Sequence, residues 1–264
     1  MNKIIDNDIY NQVFDGWWQA DSFLNVLETG IHPIRSHYIK LCMQRFKISI
    51  NKSAPHITSL LDIGCGGGII SEDMAREGFS VSGIDISTPS LFTARQHAKE
   101  NNLDIDYYEA PAEQLPFENN SFDVITCCDV LEHVDDLQQV CSEVSRVLKP
   151  QGIFIYDTIN KTLMSRISVI EIAQNIPWTR FMPENVHVWH KFIRPKALEK
   201  LLRMHQLNSV EQRGMGPAIN SMQMLGCIRQ LKTGKIDYAT FGNKTRFTYT
   251  RSKAISYLGC AQKC

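Results

Sequence analysis

The chain has 264 residues, 43% apolar and 21% charged, and its 28 basic and 28 acidic side chains cancel. That composition supplies a core for one large domain or two small ones, and the balanced charge excludes the global field that draws a protein to nucleic acid. No apolar run approaches the roughly 20 residues that span a bilayer, and Met1–Tyr10 is polar and acidic, unlike a signal peptide. The eight cysteines are scattered with no pair of Cys-x-x-Cys units. Cys65, Cys127 and Cys141 fall in apolar or loop-to-helix settings, which points to packed thiols in a reducing, cytoplasmic compartment.

Residues 1–55 read as a helical, aromatic cap carrying Phe14, Trp17, Trp18 and Phe23, then Ile34, Tyr38, Ile39, Leu41 and Cys42. Such helices pack on a sheet and also close over a ligand crevice. Residues 56–160 alternate strand and helix. Strands are expected at Ser59–Ile63, Ser80–Asp85, Ile105–Tyr108, Ser121–Cys127 and Ile153–Asp157. Helices are expected at Ile69–Glu77 and at Thr88–Glu100, where Pro89 sits in the first turn, and again through Leu137, Val140, Cys141, Val144 and Val147. Lys149-Pro150-Gln151-Gly152 reads as a breaker. Repeated β-α units predict an α/β, doubly wound, mostly parallel sheet with its site at the strand C-termini.

The first strand runs into Asp62-Ile63-Gly64-Cys65-Gly66-Gly67-Gly68, and the second ends at Asp85. Glycine serves where the backbone takes φ > 0 or approaches a ligand, and an acid at the end of the second strand is placed to accept ribose hydroxyls. The glycine spacing departs from the dinucleotide form, and Asp62 stands just before the glycines, which disfavours a pyrophosphate. S-adenosylmethionine carries no phosphate but a sulfonium and an α-amino cation, and an acid at the loop suits that cation. Ala112-Glu113 borders the adenine side of the same crevice.

Residues 161–194 form an apolar insert with Leu163, Met164, Ile167, Ile170, Ile172, Trp178 and Phe181, flanked by Lys161, Arg166 and Arg180. It reads as a helical cover over the crevice, or as a partly exposed face that admits an apolar substrate or makes peripheral contact with a membrane. A helix over Pro195–Gln206 precedes two final strands, Asn208–Arg213 and Ala254–Cys260, expected to close the sheet as an antiparallel pair. Lys232–Arg251 is polar and reads as a loop or hairpin.

The glycine loop, Asp85, Ala112-Glu113-Gln114-Leu115-Pro116-Phe117 and Leu131-Glu132-His133-Val134 together resemble the class I S-adenosylmethionine-dependent methyltransferases. Trp17-Trp18, His32-Pro33-Ile34-Arg35, Met74-Ala75-Arg76-Glu77-Gly78, Asp129-Val130-Leu131-Glu132-His133 and the run from His187 to Pro195 narrow the resemblance to the ubiquinone-biosynthesis O-methyltransferases. It implies one methyltransferase domain over residues 1–264, with a seven-stranded sheet, an N-terminal helical cap and a helical insert after the fifth strand. It also implies methylation of a phenolic or catechol-like hydroxyl, of the quinone-related kind, leaving S-adenosylhomocysteine as product.

By that resemblance Asp62, Gly64, Cys65 and Gly66 border the methionine part of the cofactor, Asp85 and Ile86 the ribose, and Ala112 and Glu113 the adenine, with Asp129 close by. The family's metal pattern falls on Asp129, Glu132 and His133, a hard-ligand set for Mg²⁺ in which aspartate replaces the usual first glutamate. Gly30 stands where the family usually has a basic residue, so one contact to the cofactor carboxylate is expected to be missing. His133 is the first choice for base or metal ligand and His187 the second, ahead of His190, with Glu132 beside them. Three alternatives stay open at this point: N- or C-methylation of a specialised metabolite, a cofactor-binding protein without transferase activity, and a dehydrogenase. The partner expected is an aromatic or apolar small molecule; oligomeric state is not legible.

Overall fold

The computed structural model describes residues 5–13, 15–48 and 58–264; Phe14 and the border between cap and core near residue 55 lie outside them. β1 (Ser59–Ile63), β2 (Ser80–Asp85), β3 (Ile105–Glu109), β4 (Phe122–Cys128), β5 (Leu148–Ile159), β6 (Leu207–Pro217), β7 (Phe247–Thr250) and β8 (Ser256–Lys263) form one sheet in the order β3-β2-β1-β4-β5-β8-β6-β7. The first five run parallel, while β8 inserts antiparallel between β5 and β6. β7 pairs antiparallel with β6 at the edge.

Alternation along each strand divides the core in two. Register sets Leu60 beside Val81 and Val124, and Val124 beside Ile153, on the face covered by α2 (His32–Arg45) and α3 (Ile69–Glu77). Leu61, Ile125 and Phe154 point the other way, under α5 (Leu137–Val147) and α7 (Pro195–Met204). On α5 the buried Val140, Cys141, Val144 and Val147 recur at helical spacing, and Asp136 caps the first turn by accepting the Gln139 N–H. α4 (Thr88–Glu100) buries Leu91, Ala94 and Ala98 against Tyr107 and Cys65. All eight cysteines are unpaired, and only Cys227 and Cys264 escape burial.

Two expectations need correction. The sheet has eight strands, not seven: β7 comes from the polar stretch before Arg251, where its aromatic and threonine residues suit a short edge strand. And Lys149–Gly152 does not end the chain's pairing. Leu148 pairs with Phe122 and Ile153 with Val124, so the intervening residues of β5 bulge opposite Asp123. A bulge tolerates Pro150, whose missing N–H would interrupt a regular ladder.

The cap contains α1 (Ile9–Gln12) and a π-helical turn, Leu27–Ile31, that runs into α2. Its turn packs on α9 (Tyr238–Lys244), which follows α8 (Ser221–Lys232). The contact is made glycine on glycine: a Cβ on Gly30 would lie 3.1 Å from the Gly242 carbonyl oxygen. Gly30 therefore answers a packing need, and no side chain fits there without moving α9. The insert after β5 begins as α6 (Leu163–Ser165) and widens into a π-helix, Arg166–Asn175. Among the described residues no helix is long and apolar enough to cross a membrane.

Candidate active site

Between β1 and β4 the winding of the sheet reverses, and there the strand C-termini open into a cavity of about 320 Å³, at the small end of small-molecule sites. Asp62, Gly64 and Cys65 line it from the first loop, Asp85 and Ile86 from the end of β2, Ala112 and Glu113 from the loop after β3, and Asp129 and His133 from the end of β4. The structure thus brings together most of the residues singled out from sequence. Their side chains, though, are differently employed.

Asp85 accepts the Gly66 N–H at 2.9 Å and the Ser87 N–H at 2.8 Å, which turns its carboxylate toward the cavity. Burial raises its pKa, and those N–H donors pull partly against the rise. Asp62 is 2% exposed and accepts the hydroxyls of Ser71 at 2.7 Å and Thr126 at 2.8 Å, tying β1 to α3 and β4. Burial pushes its carboxyl up to about 6, with the two hydroxyls opposing. Glu113 accepts the Asp135 N–H at 2.9 Å and so fastens the loop after β4.

Gly66 lies beside the cavity wall rather than in it, for a reason the sequence hides. A Cβ on Gly66 or Gly67 would come within 2.4 Å or 2.3 Å of the Trp17 ring. These two glycines receive an indole from the cap, whatever ligand the loop holds. Trp18 adds a bond from its Nε1–H to the Gly67 carbonyl at 2.9 Å, and Trp17 donates to the Ser90 hydroxyl at 3.1 Å. The cap is thereby fixed to the glycine loop and to the start of α4. Tyr10, on α1, lines the cavity with its ring stacked toward Trp17 and edge-on to His133.

Arg35 is the residue that sequence reasoning missed. It stands on the buried face of α2 with Ile34, Tyr38 and Ile39, lines the cavity, and is only 4% exposed. Its guanidinium is bidentate to Asp157, at 2.6 and 3.0 Å, and also pairs with Asp129. Asp129 holds a left-handed backbone, φ +54°, at the end of β4, and its N–H donates to Asp157 at 3.1 Å. A non-glycine residue in that region is strained, and here two buried partners hold it. Burial, the largest effect, would raise the Asp129 pKa; the Arg35 charge and its hydrogen bond, joined by His187 and His133, together outweigh it, and the net shift is downward.

Behind His133 a second constellation gathers. Glu132, His133 and His187 each offer one ligand atom, all within 4.8 Å of one another. Glu132 is 1% exposed; its Oε2 accepts the Thr158 hydroxyl at 2.7 Å, while Oε1 has no partner. Both ring nitrogens of His133 are likewise buried without a hydrogen bond. Burial, reinforced by the Asp129 carboxylate, raises the Glu132 pKa. Burial lowers His133 to about 3, with His187 adding to the fall, and lowers His187 to about 4. Three buried polar atoms without a protein partner in one place are unusual and mark where a ligand, an ion or a water would bind. The sequence had grouped Asp129 with Glu132 and His133; the structure turns Asp129 to Arg35 and brings His187 to the group instead. His190 is exposed on a 3₁₀ turn, Trp189–Lys191, and stands apart.

Comparison with known proteins agrees with this architecture. Residues 61–156 match the methyltransferase domain family. The ubiquinone biosynthesis O-methyltransferase of Pelagibacter ubique is 37% identical over 218 residues, covering 81% of this chain and 89% of the relative. That of Hahella chejuensis is 38% identical over 200 residues, covering 75% and 79%. Among solved structures, the MccD protein superposes with a TM-score of 0.61 at 18% identity, covering 90% of this chain and all of that one. A SAM-dependent methyltransferase from Aquifex aeolicus gives 0.57 at 11% identity, covering 98% and 100%. Those two likenesses speak for the fold.

Proposed function

Because this chain belongs to the ubiquinone biosynthesis O-methyltransferase family, within the class I S-adenosylmethionine-dependent methyltransferases, we propose that it methylates the hydroxyl of a phenolic or catechol-like small molecule. It is a methyltransferase that uses S-adenosylmethionine and releases S-adenosylhomocysteine. The observation that carries the acceptor reading is the Glu132, His133 and His187 group beside the cavity, in which Glu132 Oε1 and both His133 nitrogens have no partner.

The cavity residues fit the cofactor. Asp85 keeps lone pairs for ribose hydroxyls, buried Ala112 offers an apolar edge to the adenine, and Asp62 puts an acid near the α-amino cation. Arg35 supplies the cation for the methionine carboxylate that Gly30 does not. In the reaction the acceptor oxygen bonds to the methyl carbon as the carbon–sulfur bond breaks, and the phenolic proton leaves. Alignment of nucleophile and methyl is the protein's largest contribution. Neutral, weakly basic imidazoles suit metal ligation better than general-base work, and two of them with one carboxylate suit a borderline divalent cation such as Zn²⁺ better than Mg²⁺, which prefers oxygen ligands. Glu132, His133 and His187 would hold such an ion, and it would favour the phenolate.

A second reading, N- or C-methylation, draws on the same low basicity, since an amine attacks through its own lone pair. The exposed Leu163, Met164, Ile167 and Trp178 on the insert suit an apolar acceptor, or one presented at a membrane surface. Offering the enzyme catechol, phenol and an arylamine with labelled cofactor tests the proposal. Label on oxygen supports it, and label confined to nitrogen or carbon overturns it.

The Asp62 carboxyl also sets a pH dependence. With its pKa raised to about 6 in the free protein, the proton must leave before the cation binds. Affinity for S-adenosylmethionine should be level above pH 7 and fall by up to about tenfold per unit below pH 6. Equilibrium dialysis from pH 5 to 8 checks this, and a flat profile would remove Asp62 from the cation site.

A further inference from the structure

The insert meets the site through one buried amide. Gln174, in the π-helix Arg166–Asn175, is 1% exposed and makes three contacts to His187. Its Oε1 accepts the His187 backbone N–H at 2.8 Å, its Nε2–H donates to the His187 carbonyl at 3.0 Å, and His187 Nδ1 stands 3.2 Å from the same Oε1. Backbone groups cannot exchange roles: an N–H only donates and a C=O only accepts. The two backbone bonds therefore fix which end of the Gln174 amide is oxygen. An oxygen that already faces His187 Nδ1 requires that nitrogen to carry the hydrogen.

We infer that Gln174 is a positioning residue that locks His187 in its Nδ1–H form, so that Nε2 keeps the lone pair and is the atom His187 brings to Glu132 and His133. This rests on the role given to His187 above. A histidine side chain in water favours the opposite tautomer only modestly, so a single well-placed acceptor is enough to select this one. The wide π-helical turn lets the device work: Ile176 N–H bonds back to the Glu171 carbonyl at 2.8 Å, and the Ala173 carbonyl takes the N–H groups of Phe181 and Met182. The cover of the crevice and the orientation of a site histidine are thus one structure.

The test uses the full chain, metal-free and labelled with ¹⁵N-histidine, and reads the tautomer from long-range ¹⁵N–¹H correlations, with His187→Asn assigning the signal. The parent should show the Nδ1–H pattern at His187. Gln174→Leu should lose it and lower kcat on a catechol about 10- to 100-fold, while KM for S-adenosylmethionine stays within about twofold. Gln174→Glu, which keeps the acceptor oxygen, should restore the tautomer and most of kcat. An Nε2–H pattern in the parent, or a folded Gln174→Leu with the Nδ1–H pattern and full kcat, would overturn the inference. The two readings separate cleanly: an Nδ1–H parent that methylates no phenol sinks the proposed function and leaves the Gln174 lock, whereas an active parent with Nε2–H does the reverse.

Discussion

His133→Leu is expected to hold or raise thermal stability while lowering methyl transfer to a catechol on the order of 10³-fold. Both consequences come from the same observation. The imidazole of His133 is buried with neither nitrogen bonded, and a buried polar group without a partner costs about 1–3 kcal/mol. An apolar side chain of similar size removes that penalty and still packs against Tyr10 and His187. What it removes with the penalty is the group that, with Glu132 and His187, acts on the acceptor. Calorimetry and single-turnover transfer measured on one preparation give the answer. Affinity for S-adenosylmethionine should change little, because Asp85, Ala112 and Arg35 remain. A variant that loses stability along with activity would show His133 to be a packing residue.

Arg35→Ala should have the opposite character, with stability and cofactor binding failing together. Its removal leaves Asp129 and Asp157 facing each other without their cation, in a site where Asp157 is fully buried. Breaking a buried pair by deleting one partner costs about 3–5 kcal/mol, a fall on the order of 10 °C for a chain of this size. Lysine cannot replace the bidentate geometry and should recover only part of the loss. Combining Arg35→Met with Asp157→Leu should recover more, since the more deeply buried of the two uncompensated charges goes with it. Thermal melts of the single and double variants decide the matter; a melt for Arg35→Ala within about 2 °C of the parent would contradict the network.

The fold was legible where periodicity is strong. Ser59–Ile63, Ile69–Glu77, Ser80–Asp85 and Thr88–Glu100 have the limits that apolar spacing and breakers suggest, and the antiparallel closure by the last long strands is present. Phe247–Thr250 escaped because four residues carry too little alternation to stand out from a polar stretch. The bulge at Lys149–Gly152 escaped because proline and glycine mark irregular backbone without saying whether pairing resumes on the same partner.

At the site, the part of the cavity lined by the glycine loop and the end of β2 was readable because Asp62, the glycines and Asp85 sit at local, sequential positions around one turn. The roles of glycines and acids were less so. Gly66 and Gly67 make room for Trp17, and Asp129 answers Arg35, both contacts between residues far apart in sequence. Arg35 did leave a signal: a cation on the apolar face of α2, between Ile34 and Tyr38, has to meet a buried anion. Gln174 left less, one of several amides in an apolar insert, its partner thirteen residues on and reached only through a π-helical turn.

The most direct test of the account is transfer from methyl-labelled S-adenosylmethionine to a catechol by the unmodified chain, run with a divalent cation (Zn²⁺ and Mg²⁺ in separate arms) and again after chelation. The account predicts label on a phenolic oxygen that disappears on chelation and returns with the added ion. Catechol left unlabelled while an arylamine takes the methyl group would contradict it.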